Sequence, residues 1–276
     1  MPETRSTQAA AAPAAAHPIL EPFLPLSSPT PSTLPLILTP PRPSDAAALV
    51  QTLNDPLVAL QLQGPPYPYS DALAGEYVAL KISETERLLE RLGERARRAL
   101  RPSAEADIAG EGSVRGGKDR DTDEDGEPWL DELPLCAVRR ADTGEYVGDF
   151  GVHRWRFEDV PEGQERERAI KENEAKVAGD SSVLWSFGYY LRPEYHGQGL
   201  MTHVLRTVLD TYLFGYLGAD EVRGSAFADN LASIRTQEKC GLRRYGKGEY
   251  EVCESRGGGV RETTMLKVRR EDFVRA

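Results

Sequence analysis

The sequence of 276 residues has few cysteines, no long apolar run and fewer basic than acidic residues. Its three cysteines, Cys136, Cys240 and Cys253, show no CxxC spacing and their number is odd. We therefore expect a reduced, cytoplasmic compartment, with the nucleus not excluded, rather than a disulfide framework. No window approaches the roughly 18 apolar residues of a membrane span, so we expect no membrane partner. A net charge of −10 argues against a nucleic-acid partner and favours cationic substrates such as amines.

The usual signatures of metal and nucleophile chemistry are also missing. The four histidines have no metal-ligand spacing, and the chain has neither a Walker loop nor a Gly-x-Ser-x-Gly elbow. Residues 121–132 do match the spacing of an EF-hand calcium loop, although Pro128 stands at its eighth position and no helix directly precedes it. We favour a solvated acidic loop and predict no metal site, with calcium left as the alternative.

The composition divides the chain into a tail and one folded unit. Residues 1–33 are rich in Ala, Pro, Ser and Thr and lack the basic start and apolar core of a secretory signal, so we predict a disordered tail. Residues 34–276 are predicted to form a single domain. Two acidic inserts are expected within it: about 102–128, which has no apolar periodicity, and about 158–180, for which we favour a helix over an extended chain.

Apolar periodicity predicts a mixed α/β fold. A strand near 34–38 precedes a helix capped by Ser44, and a capping box at 83–86 marks the start of a second helix. A hairpin follows, with its turn at 142–144. The remaining elements are a strand over 183–191, a helix from 200 to about 218, a strand over 222–227, a helix over 230–240 and two late strands.

An aromatic strand that runs into a Gly-x-Gly turn is the most informative segment. The strand ends at Leu191, the turn holds Gly197 and Gly199, and an amphipathic helix follows at once. Such a turn directs several backbone N–H groups and the positive end of the helix dipole at one point. This arrangement predicts a cradle for a phosphate-bearing ligand.

A second polar pattern lies at the start of a later helix. Asn230, Ser233 and Gln237 follow one another at i, i+3 and i+7, so they share one face of the helix. Simple capping by Asn230 also explains a polar residue at this position.

The order of elements, the Gly-x-Gly turn and the later Asn-x-x-Ser helix ending Glu-Lys-Cys-Gly-Leu together resemble the GNAT N-acetyltransferases, with most likeness to the RimJ/RimL-type branch. The resemblance implies a mixed, mostly antiparallel central sheet flanked by helices, with a splayed central strand. It also implies acetyl-CoA as co-substrate. His196 and Met201 depart from the family's turn motif, in which Gln or Arg and a small residue are usual. The implied acetyl-CoA-binding residues are Leu191, Gln198, Gly199, Leu200, Met201, Thr202, Asn230 and Ser233.

The two side chains that most often carry catalysis in the family are absent. Gln237 stands where a Tyr often protonates the leaving thiolate, and Ser186 stands where some members have a Glu. By the resemblance, a backbone N–H near Tyr190 and Leu191 polarises the thioester carbonyl. Tyr189 and Tyr190 are the nearest hydroxyl candidates for proton relay, and packing in the sheet is an equal alternative for both.

The resemblance therefore predicts direct transfer of acetyl to a primary amine, either a protein N-terminal α-amine or a small-molecule amine. The alternative is a catalytically weak or inactive module that binds CoA or acts as a scaffold. The sequence indicates no oligomeric state.

Overall fold

The computed structural model describes residues 22–26, 34–99 and 133–273. Within these ranges an eight-stranded sheet is flanked by helices on both faces. The strands are β1 Leu24–Leu26, β2 Leu36–Thr39, β3 Ala137–Arg140, β4 Tyr146–Arg154, β5 Trp185–Leu191, β6 Glu221–Phe227, β7 Arg243–Glu251 and β8 Val260–Arg269. The helices are α1 Asp45–Asn54, α2 Pro56–Ala59, α3 Asp71–Ala99, α4 Gln164–Glu174, α5 Leu200–Thr207 and α6 Leu231–Lys239. No helix in these ranges is long and apolar enough to cross a membrane.

The sheet has the order β1-β2-β3-β4-β5-β6-β8-β7, and every neighbouring pair except β5 and β6 is antiparallel. The predicted α/β class with a mixed, mostly antiparallel sheet is confirmed. Strand β1 lies inside the range 1–33 predicted to be a disordered tail, and Leu26 is buried against the core. At 24–26 that prediction is wrong, because Leu24 and Leu26 pair with β2 and contribute to the apolar core.

Helices α1 and α3 cover one face of the sheet. A buried ion pair fastens α1 to it: the Arg139 guanidinium on β3 donates to both carboxylate oxygens of Asp45, at 2.9 and 2.5 Å. Asp45 also accepts a hydrogen bond from the backbone N–H of Arg42, whereas the predicted cap Ser44 makes no side-chain capping bond. Arg139 additionally donates to Thr39 on β2.

Helix α3 begins well before the predicted capping box at 83–86. The Ser70 side chain accepts from the N–H of Leu73, and Asp71 places a negative charge in the first turn. Ser83 lies inside the helix, where its carbonyl accepts from Arg87. The capping-box pattern at 83–86 therefore does not mark the start of this helix. The helix starts at Asp71, where it has both a capping side chain and an acidic first turn.

The opposite face is covered by α5, a π-helical continuation at Val208–Tyr216, and α6. The predicted helix from 200 to about 218 is thus present but changes type at Val208. It ends at Gly218, whose φ of +67° is the left-handed conformation expected at a helix end. This layer buries the larger of the two apolar clusters against β4, β5 and β6.

The charged stretch 158–180 contains helix α4, and one buried side chain anchors it to the sheet. Asn173 is 2% exposed; its amide donates to the carbonyl of Leu184 and accepts from the N–H of the same residue, both at 2.9 Å. The other expected insert, 102–128, and the calcium-like loop at 121–132 lie outside the described residues.

Candidate active site

The central feature of the site is a gap between β5 and β6. Only Trp185 and Val222 face each other across these parallel strands, whereas β4 and β5 are in register over seven pairs from Gly148↔Leu191 to Arg154↔Trp185. The two strands therefore separate beyond Trp185. This separation is the splayed central strand that the resemblance predicts.

Alternation along β5 decides which backbone groups face the gap. The N–H of Arg192 donates to the carbonyl of Val147 on β4, so the N–H groups of Tyr190 and Gly188 also point to β4. The intervening N–H groups of Leu191 and Tyr189 consequently point toward β6, from which β5 has separated. Of the two strand amides proposed to polarise a carbonyl, only that of Leu191 has the required direction.

The Gly-x-Gly turn joins β5 to α5 at the open end of the gap. Gly197 and Gly199 have φ values of +73° and +74°, and no heavy atom lies within 4 Å of where a Cβ would stand on either. Gly199 is the N-cap of α5, so the first amides of the helix are directed out of the turn. The N–H of Thr202 already donates to the carbonyl of Gly199 at 3.1 Å.

The two unusual residues of the turn motif have structural partners. His196 donates through Nε2 to the carbonyl of Leu191 at 2.8 Å, which ties the turn to the end of β5. Met201 is 6% exposed and belongs to the apolar core, so only its backbone is available to a ligand. Gln198 donates to the carbonyl of Glu194 and lies on the exposed side of the turn.

Helix α6 brings its polar row to the other side of the gap. Asn230 caps the helix by accepting from the N–H of Ser233 at 3.1 Å. The Ser233 hydroxyl lies 3.0 Å from the hydroxyl of Tyr189 on β5. Gln237 is 1% exposed, its Nε2 lies 3.3 Å from Ser233 Oγ, and its Oε1 has no hydrogen-bond partner among the described residues. A Cβ on Gly224 would stand 2.5 Å from that oxygen and 2.9 Å from Cζ of Phe187, so any other residue there would displace these side chains.

The two tyrosine candidates lie on opposite faces of the sheet, because neighbouring residues of a strand alternate. Tyr189 points to α6, and burial raises its pKa to about 12, so it keeps its proton at neutral pH. Tyr190 points to the α3 side, where its hydroxyl pairs with that of Tyr146 at 3.2 Å. Burial raises the pKa of Tyr190 well above its usual value.

A cavity of about 350 Å³ lies between α3 and the sheet. Gly151 on β4 is part of the sheet surface here, its cross-strand partner is Gly188 on β5, and neither glycine has a heavy atom within 4 Å of where a Cβ would stand. Asp149 and His153 flank Gly151 on the same face, and both line the cavity. Burial is the main cause that raises the pKa of Asp149 to about 7.

Glu158 is a second carboxylic acid near this part of the sheet. Burial raises its pKa, a hydrogen bond with Ser225 on β6 opposes that rise, and its Oε2 is buried without a partner in the part of the chain described. The preceding residue, Phe157, has a φ of +52°, the one positive value at a non-glycine residue among those described. Such strain is costly, and functional sites are where it often persists.

Asp149 and Glu158 were absent from the candidates that the sequence supplies. The hairpin pattern around 146–152 already placed Asp149 in a strand, and a charged residue in an apolar strand was the available signal. The sequence gives no reason to single out Glu158 as a site residue, because it lies in a charged stretch whose path over β6 depends on tertiary contacts. Among the described residues no group of three potential ligands could hold a metal ion.

A second, smaller cavity of about 220 Å³ lies between the loop after α2 and the β7–β8 loop. Phe227 and Tyr250 form its apolar wall, and Arg256 and Arg261 lie beside them. The Arg256 guanidinium is held by the carbonyls of Leu62 and Pro65, among others.

Comparison with known proteins assigns the family. The profile described as "Acetyltransferase (GNAT) domain" matches residues 97–243. A GNAT-family acetyltransferase structure from Bacillus anthracis has 13% identity, covers 86% of this chain and 95% of its own, and superposes with a TM-score of 0.50. The structure of RimL, a ribosomal L7/L12 α-N-protein acetyltransferase in complex with coenzyme A, has 15% identity, covers 90% and 98%, and gives a TM-score of 0.50. No curated protein matches the sequence significantly.

The chain belongs to the GNAT family of acetyltransferases. It is an enzyme that transfers acetyl groups from acetyl-CoA to an amine. The resemblance to the GNAT fold and the expected co-substrate are thereby confirmed.

The gap and the turn fit acetyl-CoA in their chemistry. The unpaired edge of β5 offers alternating N–H and carbonyl groups to an amide-bearing arm, as a sheet edge does to an added strand. The buried, unpartnered Oε1 of Gln237 is an acceptor suited to an amide N–H of that arm. The open turn at Gly199 leaves room for phosphate beside the helix N-terminus.

Proposed function

We propose that this protein transfers acetyl directly from acetyl-CoA to a primary amine, either a protein N-terminal α-amine or a small-molecule amine. We also propose that residues 34–276 act as one acetyltransferase domain, to which β1 adds an edge strand. The single observation that supports this most is the separation of β5 from β6, with the free edge of β5 leading directly into the Gly197–Gly199 turn.

In this proposal the backbone of the turn and two polar side chains hold the co-substrate. The amides of Gln198, Gly199, Leu200 and Met201 receive the pyrophosphate, and the N–H of Thr202, which donates to the carbonyl of Gly199, adds to the positive end of α5 beside it. Asn230 and Ser233 lie along the pantetheine arm, and Asn230 does so while also capping α6. Acetyl-CoA supplies an acetyl group that is activated as a thioester.

Catalysis rests on positioning and on two hydrogen-bond donors. The N–H of Leu191 polarises the carbonyl that undergoes attack, and one such donor contributes about 3–4 kcal/mol in related acyl transfers. The Tyr189 hydroxyl, oriented by Ser233, donates a hydrogen bond to the leaving sulfur. Tyr190 lies on the opposite face of the sheet, from which the amine approaches Gly188. We propose that Tyr190 shapes the amine-binding side of the site and takes no part in proton transfer.

Release of free thiol tests the proposal. The purified protein is incubated with acetyl-CoA and a pooled library of amines and peptides, and free CoA thiol is measured. Thiol release that depends on an acceptor supports the proposal. Binding of CoA without thiol release for any acceptor would instead indicate a module that binds CoA without turnover.

A further inference from the structure

The cavity between α3 and β4 is the part of the molecule that most clearly fits an acceptor. It is lined by Gly151 on β4, whose cross-strand partner is the exposed Gly188 in the middle of the separated strand, and neither glycine carries a side chain. Cavities that bind small ligands typically measure about 300–1,000 Å³. A group placed over these glycines therefore lies beside the strand that carries the Leu191 and Tyr189 donors.

The walls of this cavity are apolar at several points. Tyr77 and Leu88 on α3, and Leu133 and Pro134 before β3, line it. The charged side chains around it are mostly paired with each other: Lys81 with Glu84 at 2.7 Å, and Arg156 with Glu174 at 3.5 Å. A ligand held here meets an apolar wall and ion pairs whose charges offset each other.

Asp149 is the deepest acidic group of the cavity. Asp149 is 8% exposed, and the nearby buried thiol of Cys136 lowers its pKa. Burial raises the pKa of Cys136 well above its usual value, so that thiol remains neutral. A buried carboxylate at the base of the cavity favours a cationic ligand over an anionic one, and its charge also offsets that of Arg154, whose guanidinium donates to the carbonyls of Asn173 and Lys176.

We infer that the acceptor is a compact primary alkylamine or arylalkylamine that enters this cavity as its ammonium form, and that Asp149 binds the ammonium and takes its proton. This inference rests on the proposed acetyl transfer and names its substrate class. A polypeptide N-terminus fits less well, because the rest of the polypeptide chain would have to pass α3 to leave the cavity. The alternative site for such a chain is the smaller cavity beside Phe227 and Tyr250.

Acetyl transfer from the bound ammonium moves two protons and two electron pairs. The Asp149 carboxylate accepts one proton from the ammonium, and the freed nitrogen lone pair forms the N–C bond to the acetyl carbonyl carbon. The C–S bond breaks and its electron pair leaves with sulfur. The new amide nitrogen loses a second proton, which ends on the sulfur as free CoA thiol. Asp149 then releases its proton to solvent.

Several groups around Asp149 influence when it ionises. Lys81 and Arg139 lower its pKa, whereas Asp45 raises it, and burial outweighs them all. Tyr190 is its cross-strand partner. The other titratable groups nearby are Tyr69, Tyr77, Glu84, Cys136, Tyr146 and His153.

The test compares two acceptors and three variants of the full-length protein. The acceptors are 2-phenylethylamine and a peptide with an N-terminal alanine, and the readout is acetylated product by mass spectrometry. We expect 2-phenylethylamine to have a kcat/KM at least about tenfold above that of the peptide. For the wild type, log kcat/KM rises with pH through an apparent pKa of about 7.

The expected effect of Asp149→Asn is a loss of about a hundredfold or more in kcat/KM for 2-phenylethylamine and the disappearance of that pH limb. Asp142→Asn, which makes the same chemical change at the exposed hairpin turn, is expected to match the wild type. Binding of acetyl-CoA by the Asp149 variant, measured by calorimetry, is expected to be unchanged, which shows that the variant is folded.

Three outcomes would overturn the inference. One is a peptide preference that Asp149→Asn leaves intact, which contradicts the substrate class while acetyl transfer itself stands. Another is that the rise of log kcat/KM with pH disappears in Glu158→Gln and persists in Asp149→Asn. That result would identify Glu158 as the base. The third is no acetylated product from either acceptor while the pooled library of amines and peptides still releases free thiol, which contradicts the inference and leaves acetyl transfer standing; no thiol release with any acceptor contradicts the proposed function as well.

Discussion

Burial is the main cause that raises the pKa of two carboxylic acids, Asp149 on β4 and Glu158 in the segment after it. A carboxyl group whose pKa is raised in the folded state stabilises the fold while it is protonated, and that stabilisation is lost as pH rises through the folded pKa. For Asp149 the window runs from its ordinary value near 3.8 to about 7. At about 1.4 kcal/mol per unit, the ionised form costs the fold on the order of 4 kcal/mol.

Asp149→Asn is therefore expected to stabilise the protein at alkaline pH. Because asparagine does not ionise, the free energy of unfolding of the variant is expected to exceed that of the wild type by an amount that grows by on the order of 3 kcal/mol between about pH 5 and about pH 8. Denaturant titrations at the two pH values measure this. An increment that is equal at both pH values would show that Asp149 does not titrate in this window.

Gly197 and Gly199 form a matched pair for testing the phosphate cradle. Alanine at either position costs about 1–2 kcal/mol of backbone strain, since both glycines have a left-handed φ and open space around them. Only Gly199 caps α5. Gly199→Ala is expected to raise the KM for acetyl-CoA by about tenfold or more relative to Gly197→Ala, measured by steady-state kinetics. Equal KM values for the two variants would contradict the cradle.

Tyr189 and Tyr190 allow a similar comparison across the two faces of the sheet. Tyr189→Phe removes the hydroxyl that Ser233 orients, so we expect kcat to fall by about tenfold to a hundredfold with little change in KM for acetyl-CoA. Tyr190→Phe removes the hydroxyl paired with Tyr146 and is expected to change kcat less than threefold, roughly. The reverse order of effects would assign the proton donor to Tyr190.

At the scale of elements, α6 serves both stability and binding through one residue. The Asn230 side chain caps the helix by accepting the N–H of Ser233. Asn230→Ala is expected to cost about 1 kcal/mol in the free energy of unfolding, and to raise the KM for acetyl-CoA because Ser233 loses its fixed position. Asn230→Asp keeps the cap and serves as the control for the fold. Loss of stability with unchanged KM would limit Asn230 to capping.

Local signals predicted most of the elements near the site. The hairpin β3–β4, the strand β5, the turn into α5 and the cap of α6 each carry apolar periodicity, glycine or a capping residue in the sequence. The elements that local signals did not predict depend on contacts with residues far along the chain. Strand β1 requires pairing with β2, and α3 starts at Asp71 although a capping pattern occurs later. The change to π-helix at Val208 has no signal that we identify in the sequence.

The candidate site divides in the same way. The cradle follows from a short motif, because backbone N–H groups at a glycine turn need few neighbours to take their positions. The two buried acids come from β4 and from the segment after it: Asp149 is placed opposite Tyr190 by strand register, and Glu158 is placed beside Ser225 on β6 by the path of residues 155–160. Gln237 and Ser186 stand where other family members often have a Tyr and a Glu. These two substitutions do not indicate which other residues of this chain act as the acid and the base.

At the scale of the whole molecule, our proposals place the two substrates on opposite faces of the sheet. The face under α5 and α6 carries the turn, Tyr189 and the polar row of α6, all assigned to acetyl-CoA. The face under α1 and α3 carries the cavity and Asp149, assigned to the amine. In these proposals the two substrates meet at the gap between β5 and β6. Direct transfer therefore requires both substrates to be bound at the same time.

Isotopic labelling of the acetyl group tests this central claim most directly. The protein is mixed with carbon-13-labelled acetyl-CoA, first alone and then with 2-phenylethylamine and alanine-terminated peptide together, and both the protein and the acceptors are weighed by mass spectrometry. We predict that the label appears on an amine, in amounts equal to the free thiol, and that the protein incubated alone gains no label. Label that accumulates on the protein before any acceptor is added, or thiol release without labelled amine, would contradict direct acetyl transfer to an amine.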